Sequence, residues 1–424
     1  MKKNVAKLLL LLVLGCGVQE KRQVDPEITG ALDSLYNNQQ YFKFREKLAS
    51  NKHLLPEKEF LLLSSQLHTV FNRSKASDSI IERLFSSYEE ELTREQQLDL
   101  LEAKISNSLF LFDYAEALHA TEKLLAMDSL SEEKAEEHEN QLIIFRELQH
   151  TPAQTISLVE TELPITKDIA GLSRIPVSLN TVPQQVVFDT GANFSVITDS
   201  LALRSGIRIG DKTFKVTATT GGKVDSRIGV ADSLRLGATV LHNVVFLVFP
   251  KESLSFNEGR YTIDAILGFP VINALENLRL VQGKTFFFSR AAPSAKKENL
   301  ALDFLTPVVE VIQNDKSLAF TFDTGATTTA LYEEYYLLNE EEIQRLGTRD
   351  SINLGGAGGS VKIPVYKAPF EGAIGDSGFR LEAASIHLKE QADNRGIYGN
   401  LGQDVLKQFD TLSLDFRNMR IELN

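Results

Sequence analysis

The chain has a single cysteine, Cys16, among its 424 residues, so it cannot form an intrachain disulfide. Its seven histidines are scattered, and it has neither a His-Glu-x-x-His motif nor a pair of cysteines. We therefore expect no metal site and no cofactor. A serine hydrolase of the Gly-x-Ser-x-Gly type is excluded as well, because that turn motif is missing.

Positive charge is also in short supply. The chain has 45 Lys and Arg against 57 Asp and Glu, for a net charge of −12, which argues against a nucleic-acid partner. The glycine-rich stretch GGAGGS at 355–360 lacks the Gly-Lys-Ser/Thr ending of a phosphate-binding loop. Nucleotide binding is therefore not expected.

The N-terminus has the composition of an export signal. Residues 1–15, MKKNVAKLLLLLVLG, place three lysines before a Leu/Val run that is too short to span a bilayer. The following VLGC resembles a bacterial lipoprotein processing site, which implies cleavage before Cys16 and a lipid on its sulfur, although a chance cysteine would look the same. We expect a linker at 16–28 and a lipid-anchored protein of the bacterial cell envelope, at the outer membrane.

Glycine is nearly absent from residues 29–150, where apolar residues recur at helical spacing. DYAEALHATEKLLAMD at 113–128 resembles the second helix of a tetratricopeptide repeat, and similar segments around Tyr41 and Ser77 precede it at nearly the same period. We predict an all-α domain of three irregular helix pairs. Such a domain either binds a protein partner or acts as a spacer, and the two share one sequence signature.

One short motif occurs twice. VVFDTGANFSVIT at 186–198 places Asp189 after an apolar run, and LAFTFDTGATTTALY at 318–332 places Asp323 in the same context, 134 residues later. A single copy would be read as an ordinary turn at a strand end. The same offset of 134 relates Gly221-Gly222 to Gly355-Gly356 and Gly268 to Gly402. We therefore infer a duplicated unit.

The two Asp-Thr-Gly-Ala segments, each followed by a Gly-rich hairpin and an apolar segment ending in Gly268 or Gly402, resemble aspartic peptidases of the retropepsin type. The resemblance covers about residues 156–424. It implies an all-β, two-lobed peptidase domain with lobes at 156–291 and 299–424. One departure is Asn400, where the family usually has an apolar residue, and we expect it to affect the packing beneath Asp323.

The resemblance assigns a role to each motif residue. Asp189 and Asp323 would be the catalytic acids. Thr190 and Thr324 would hydrogen-bond across the lobe interface, and Gly191 and Gly325 would let the backbone approach the acids. The residues implied to contact substrate are Asn193 and Thr327, together with the flap-tip glycines Gly221, Gly222, Gly355 and Gly356. The plainer alternatives are a strand-forming role for the threonines and a turn-forming role for the glycines and Asn193.

Peptide hydrolysis explains why two copies would be needed. It requires a base for the attacking water and an acid for the carbonyl oxygen, and two adjacent carboxyl groups that share one proton supply both. The sequence therefore predicts an aspartic endopeptidase that acts on a peptide or protein substrate and is active as a monomer. The alternative is an envelope lipoprotein that uses the same fold to bind peptides without cutting them.

Overall fold

The structure is a computed structural model of the chain, and it describes residues 25–127, 130–218, 221–281, 284–388 and 396–424. The predicted signal segment 1–15, Cys16 and most of the predicted linker 16–28 lie outside the described residues. Within the described residues, no helix is both long and apolar enough to cross a membrane.

The N-terminal region is helical. Its described residues form seven α-helices: α1 (Pro26–Asn37), α2 (Tyr41–Asn51), α3 (Glu57–Val70), α4 (Ser74–Tyr88), α5 (Arg94–Phe110), α6 (Tyr114–Leu125) and α7 (Glu132–Leu148). The sequence specifies several of the starts. Thr93 and Gln96 form a reciprocal capping box at α5, and Asp113 accepts a hydrogen bond from the Glu116 N–H at the start of α6.

The first six helices form three successive pairs, and the turn within each pair closes in the same way. Gln39, Asn72 and Phe112 have φ values of 54°, 57° and 57°. In each turn the next residue donates its N–H to a carbonyl five residues back: Gln40 to Leu35 at 2.9 Å, Arg73 to His68 at 2.8 Å and Asp113 to Ser108 at 2.9 Å. This is the hydrogen bond of a Schellman motif, which ends one helix and starts its partner.

The remainder of the chain is built mainly from strands. The first half contains β1 (Thr155–Ser157), β2 (Thr161–Pro164), β3 (Thr166–Lys167), β4 (Ser173–Leu179), β5 (Val182–Phe188), β6 (Ser195–Thr198), β7 (Arg208–Ile209), β8 (Phe214–Thr217), β9 (Lys223–Leu236), β10 (Thr239–Phe249), β11 (Ser255–Phe256), β12 (Tyr261–Thr262), β13 (Ala265–Leu267), β14 (Asn277–Val281) and β15 (Thr285–Ser289), with short helices α8 (Asp199–Arg204) and α9 (Phe269–Ala274).

The second half contains β16 (Leu300–Asp303), β17 (Thr306–Gln313), β18 (Lys316–Phe322), β19 (Ala330–Leu331), β20 (Thr348–Gly356), β21 (Gly359–Ile374), β22 (Ser377–His387), β23 (Ile397–Leu401), β24 (Thr411–Asp415) and β25 (Arg420–Leu423), with short helices α10 (Glu333–Leu338), α11 (Glu340–Leu346) and α12 (Gln403–Leu406). The predicted fold class, an all-α region followed by an all-β region, is therefore confirmed.

Most of these strands form two large sheets and one bridging sheet. The first sheet has the order β1-β10-β6-β13-β5-β4-β9-β7, with β3 on β4 and β8 on β9. The second sheet has the order β16-β17-β18-β23-β19-β22-β21-β20, and the bridging sheet has the order β2-β15-β14-β24-β25. The bridging sheet ties the halves together, because β14 from the first half pairs with β24 from the second.

The centres of the two large sheets share one pairing pattern. In the first sheet, β13 lies parallel to β5 and antiparallel to β6, which is parallel to β10. In the second, β23 lies parallel to β18 and antiparallel to β19, which is parallel to β22. Asp189 follows β5 and Asp323 follows β18. Each aspartate therefore lies directly after the last residue of a central strand.

The helical region packs directly against the β region. The Tyr41 hydroxyl and the Gln39 amide each donate a hydrogen bond of 2.8 Å to the carboxylate of Asp303. Burial raises the pKa of Asp303, and the hydrogen bond from Tyr41 opposes this rise. The Phe269 ring lies edge-on between Phe110 of α5, at 5.9 Å, and Phe416, at 5.4 Å. Helices and sheets thus share one apolar core.

Candidate active site

Asp189 and Asp323 meet at the contact between the two halves of the β region. A side-chain hydrogen bond joins their carboxyl groups. The close approach depends on glycine at the second position after each acid. A Cβ atom added to Gly191 would lie 2.5 Å from Cγ of Asp323, and one added to Gly325 would collide with Asp189 in the same way. Each glycine therefore makes room for the opposite carboxyl group.

The two buried threonines form a reciprocal set of hydrogen bonds beneath the acids. The Thr190 hydroxyl donates to the Phe322 carbonyl at 2.8 Å, and the Thr324 hydroxyl donates to the Phe188 carbonyl at 3.0 Å. Each hydroxyl also accepts the backbone N–H of the other threonine at 3.1 Å. These four bonds cross from one half of the β region to the other, and so fix the strands that carry Asp189 and Asp323.

A second layer of hydrogen bonds supports each loop. The Gly268 N–H donates to Oγ of Ser195 at 3.1 Å, and the Gly402 N–H donates to Oγ1 of Thr329 at 3.0 Å. Ser195 and Thr329 were not predicted as site residues. The sequence could have identified them, because each is a hydroxyl residue six positions after the aspartate of its half.

The carboxyl groups differ in their surroundings. The backbone N–H groups of Gly191 and Ala192 contact Asp189, and those of Gly325 and Ala326 donate to Asp323 at 2.7 and 3.0 Å. Asp323 also accepts a hydrogen bond of 3.1 Å from the side-chain amide of Asn400. Burial, and then the neighbouring charge of Asp323, raise the pKa of Asp189 well above the usual range of a carboxyl group. Asp189 therefore retains its proton at a pH where a free aspartate is ionised.

A comparison with known families matches this part of the chain. Residues 175–271 match the family model described as aspartyl protease. The chain thus contains an aspartic peptidase-like domain. The matched segment includes Asp189 and Gly268, whereas Asp323 lies outside it. No curated protein matches the chain significantly.

Two hairpins of this peptidase-like domain carry the predicted flap glycines. In the first, Gly221 and Gly222 lie between β8 and β9, and Gly221 has φ +80°. The Ala218 N–H donates to the Gly222 carbonyl and the Gly221 N–H donates to the Ala218 carbonyl, both at 2.8 Å. In the second, Gly355 and Gly356 are the last residues of β20, and Gly356 pairs with Gly359. The predicted tip is therefore displaced: the turn itself is Ala357 and Gly358, the two residues enclosed by the Gly356–Gly359 pair, and Gly358 has φ +84°.

Both hairpins contact other parts of the molecule. The Gly358 N–H donates to the Ser253 carbonyl at 2.8 Å, so the second hairpin reaches the first half of the β region. The first hairpin rests on α7, where the Asn140 side chain accepts the Lys215 N–H at 3.1 Å and Glu136 pairs with Lys223. The helical region therefore holds one of the two hairpins.

The remaining predicted site residues are exposed. Asn193 Oδ1 accepts a hydrogen bond of 2.9 Å from the Thr306 hydroxyl at the start of β17, and Thr327 lies in the corresponding loop of the second half. Their predicted contact with substrate stays a prediction. Among the residues that the structure describes, no group of three or more His, Cys, Asp or Glu is placed to hold a metal ion.

The threonine bonds predict a specific cost for Thr190→Val. The substitution keeps the shape of the side chain but leaves the Phe322 carbonyl and the Thr324 N–H buried without their partner. We expect a loss of about 2–6 kcal/mol in the free energy of unfolding, since each of the two unsatisfied groups costs about 1–3 kcal/mol. Urea unfolding of the full chain measures it. Thr190→Ser, which keeps the hydroxyl, is the matched control, and a Val variant as stable as the Ser variant would contradict this account.

Proposed function

We propose that the protein is an aspartic endopeptidase whose active site is built from Asp189 and Asp323 of one chain. The observation that carries the proposal is the hydrogen-bonded carboxyl pair, which is held by reciprocal threonine bonds and by equivalent loops from both halves. The family match supports the first aspartate alone. The second aspartate enters the proposal through the geometry.

The proposed reaction uses the pair as a combined base and acid. The ionised carboxylate takes a proton from a water molecule as its oxygen attacks the peptide carbonyl carbon, and the protonated carboxyl gives its proton to the carbonyl oxygen. In the tetrahedral intermediate, the carboxyl group that holds the water proton gives it to the amide nitrogen, and the other carboxylate takes a proton back from a hydroxyl of the gem-diol. The C–N bond breaks, the products leave as an amine and a carboxylic acid, and the pair again holds one proton. No covalent intermediate with the protein is formed.

The surrounding elements supply a place for an extended peptide. The two hairpins would cover the bound substrate and limit the access of bulk water. Asn193 and Thr327, exposed in the loops next to the acids, would contact its backbone. Because α7 holds the first hairpin, the helical region supports the site mechanically. A protein partner on its remaining surface stays a further proposal.

The central prediction concerns the two acids. Asp189→Asn and Asp323→Asn should each abolish peptide cleavage while leaving the fold intact, because an amide can neither share nor transfer the proton. The full chain is incubated with a diverse peptide library, and the products are identified by mass spectrometry. Both variants should remain folded by circular dichroism, so that lost activity reports on chemistry.

Mixing the two variants tests whether one chain suffices. A site assembled from two chains would regain activity in the mixture, because some pairs would contain one intact Asp189 and one intact Asp323. We expect no recovery. Turnover by either single variant would refute the mechanism, and a folded wild type that binds peptides without cutting any would favour the peptide-binding alternative.

We also propose that the protein is a lipoprotein anchored through Cys16 in the bacterial cell envelope, on the outer membrane. Support comes from the sequence of residues 1–16, a lysine-rich, apolar leader followed by cysteine.

The anchor is tested with Cys16→Ser. We expect the variant to leave the membrane fraction or to keep its signal segment, which the mass of the intact protein would reveal. Wild-type protein should carry the additional mass of its lipid. A variant with the wild-type mass and the wild-type partition between membrane and soluble fractions would contradict the anchor.

A further inference from the structure

The carboxyl pair has one side-chain contact that breaks the correspondence between the two halves. Asn400, in β23, donates from Nδ2 to Oδ2 of Asp323 at 3.1 Å. The offset of 134 residues places Ile266 of β13 at the equivalent position beside Asp189. The strand register agrees, because Asn400 pairs with Thr321 and Ile266 pairs with Val187. One half thus offers an amide where the other offers an alkyl group.

The backbone donors are similar in the two halves but not identical. Gly191 donates to Asp189 at 2.9 Å, with the Ala192 N–H nearby, whereas Gly325 and Ala326 donate to Asp323 at 2.7 and 3.0 Å. Ala192 and Ala326 then have no side-chain donor to add. The amide of Asn400 is therefore the side-chain donor that adds to the backbone donors of Asp323 and has no counterpart at Ile266.

The orientation of the amide is fixed from the far side. The Thr321 hydroxyl lies 2.8 Å from Oδ1 of Asn400 and donates to it. Tyr332 is hydrogen-bonded to Thr321, and burial raises the pKa of this phenol to about 12, so it remains protonated. The same hydroxyl lies 3.3 Å from the Gly399 carbonyl, so its shorter contact with Oδ1 of Asn400 is the stronger hydrogen bond. Nδ2, which can only donate, consequently faces Asp323.

A donor at Oδ2 favours the ionised form of Asp323, because a hydrogen bond to a charged acceptor is stronger than one to a neutral acceptor. It also prevents the proton of the pair from residing on Oδ2, where it would face the Nδ2 hydrogens. The shared proton is thereby directed to the other carboxyl group.

We propose that Asn400 is a positioning residue that keeps Asp323 ionised and places the shared proton on Asp189. The assignment of catalytic roles that follows from this proton placement rests on the proposed function. Asp323 would be the base that takes a proton from the attacking water, and Asp189 would be the acid that protonates the carbonyl oxygen. Without Asn400 the two carboxyl groups would compete for the proton on nearly equal terms.

The nearby ionisable groups are engaged with other partners. Asp404 accepts hydrogen bonds from the N–H and hydroxyl of Thr329 at 2.9 and 2.6 Å. Lys167 donates to the side chain of Gln403 at 2.8 Å. The His387 ring packs on Tyr332 at 6.0 Å, and burial lowers the pKa of His387, which favours its neutral form.

The test replaces the polar contact with the residues that the first half carries. Asn400→Ile introduces the residue found at 266, and Thr321→Val introduces the residue found at 187 and removes the anchor of the amide. The exchange variant Asn400→Ile/Ile266→Asn moves the donor to Asp189. Protein labelled with ¹³C at the aspartate carboxyl groups is titrated by NMR, with the Asp→Asn variants used to assign the two signals.

In the wild type, over the pH range in which the pair holds one proton, the Asp189 signal should be that of a protonated acid and the Asp323 signal that of a carboxylate. In Asn400→Ile the two signals should converge, and the ionisation that creates the monoanion should move up by about one pH unit, the size of one hydrogen bond to a charged group. Thr321→Val should raise the pH of this ionisation as well, but by a smaller amount. The exchange variant should reverse the two signals.

Kinetics supply the second readout. The acidic limb of the kcat/KM profile should move to higher pH in Asn400→Ile, so that activity below the limb falls about tenfold. Activity at the optimum should change by less than about threefold, whereas a packing defect would lower the whole profile.

The two readouts separate the inference from the proposed function. Wild-type cleavage together with unchanged titration of Asn400→Ile and Thr321→Val would overturn the role of Asn400 and leave the peptidase intact. If no peptide is cleaved but the NMR shifts are as predicted, the proposed peptidase function is overturned and the proposed role of Asn400 in placing the proton stands. If Asn400→Ile does not fold, the Thr321→Val titration decides the matter.

Discussion

Four hydrogen bonds between Thr190, Thr324 and the strands opposite them hold the two halves of the β region in register. Everything proposed for the site depends on them. They bring two carboxyl groups into contact in a half-buried position, where both cannot be ionised at low cost. A rotation of one half against the other would separate the acids and remove the shared proton. The bridging sheet adds a second connection between the halves, the antiparallel pairing of β14 with β24.

The helical region is part of this mechanical arrangement. Tyr41 and Gln39 hold Asp303 beside β17, and the Phe110–Phe269–Phe416 contact continues the core of the β region into the helices. On the other side, α7 contacts the β8–β9 hairpin. A ligand that shifted α7 would therefore move a hairpin that we propose to cover the substrate. The helices and the proposed peptidase site are physically coupled rather than independent modules on one chain.

Sequence reasoning could predict the features that depend on local motifs. The aspartates, threonines and glycines repeat in constant register, and helical and strand periodicity separate the two regions, so the fold class was predictable. Ser195 and Thr329 followed the same register and could have been found. The contact of Asn400 could not, because it requires the amide to reach an acid 77 positions earlier in the chain. The sequence marked it only as a polar residue in an apolar position. The tip at Ala357 and Gly358 depends on strand register, which the glycine pair alone does not determine.

The central claim is that one chain carries a complete pair of acids. The most direct test is the stoichiometry of a non-cleavable peptide, in which a hydroxyethylene group replaces a bond that the protein cuts. Its hydroxyl would occupy the position of the attacking water between Asp189 and Asp323. Calorimetric titration of the full chain should give one bound peptide per chain, with weaker binding in Asp189→Asn and Asp323→Asn alike. One peptide per two chains, or binding that neither substitution weakens, would contradict the account.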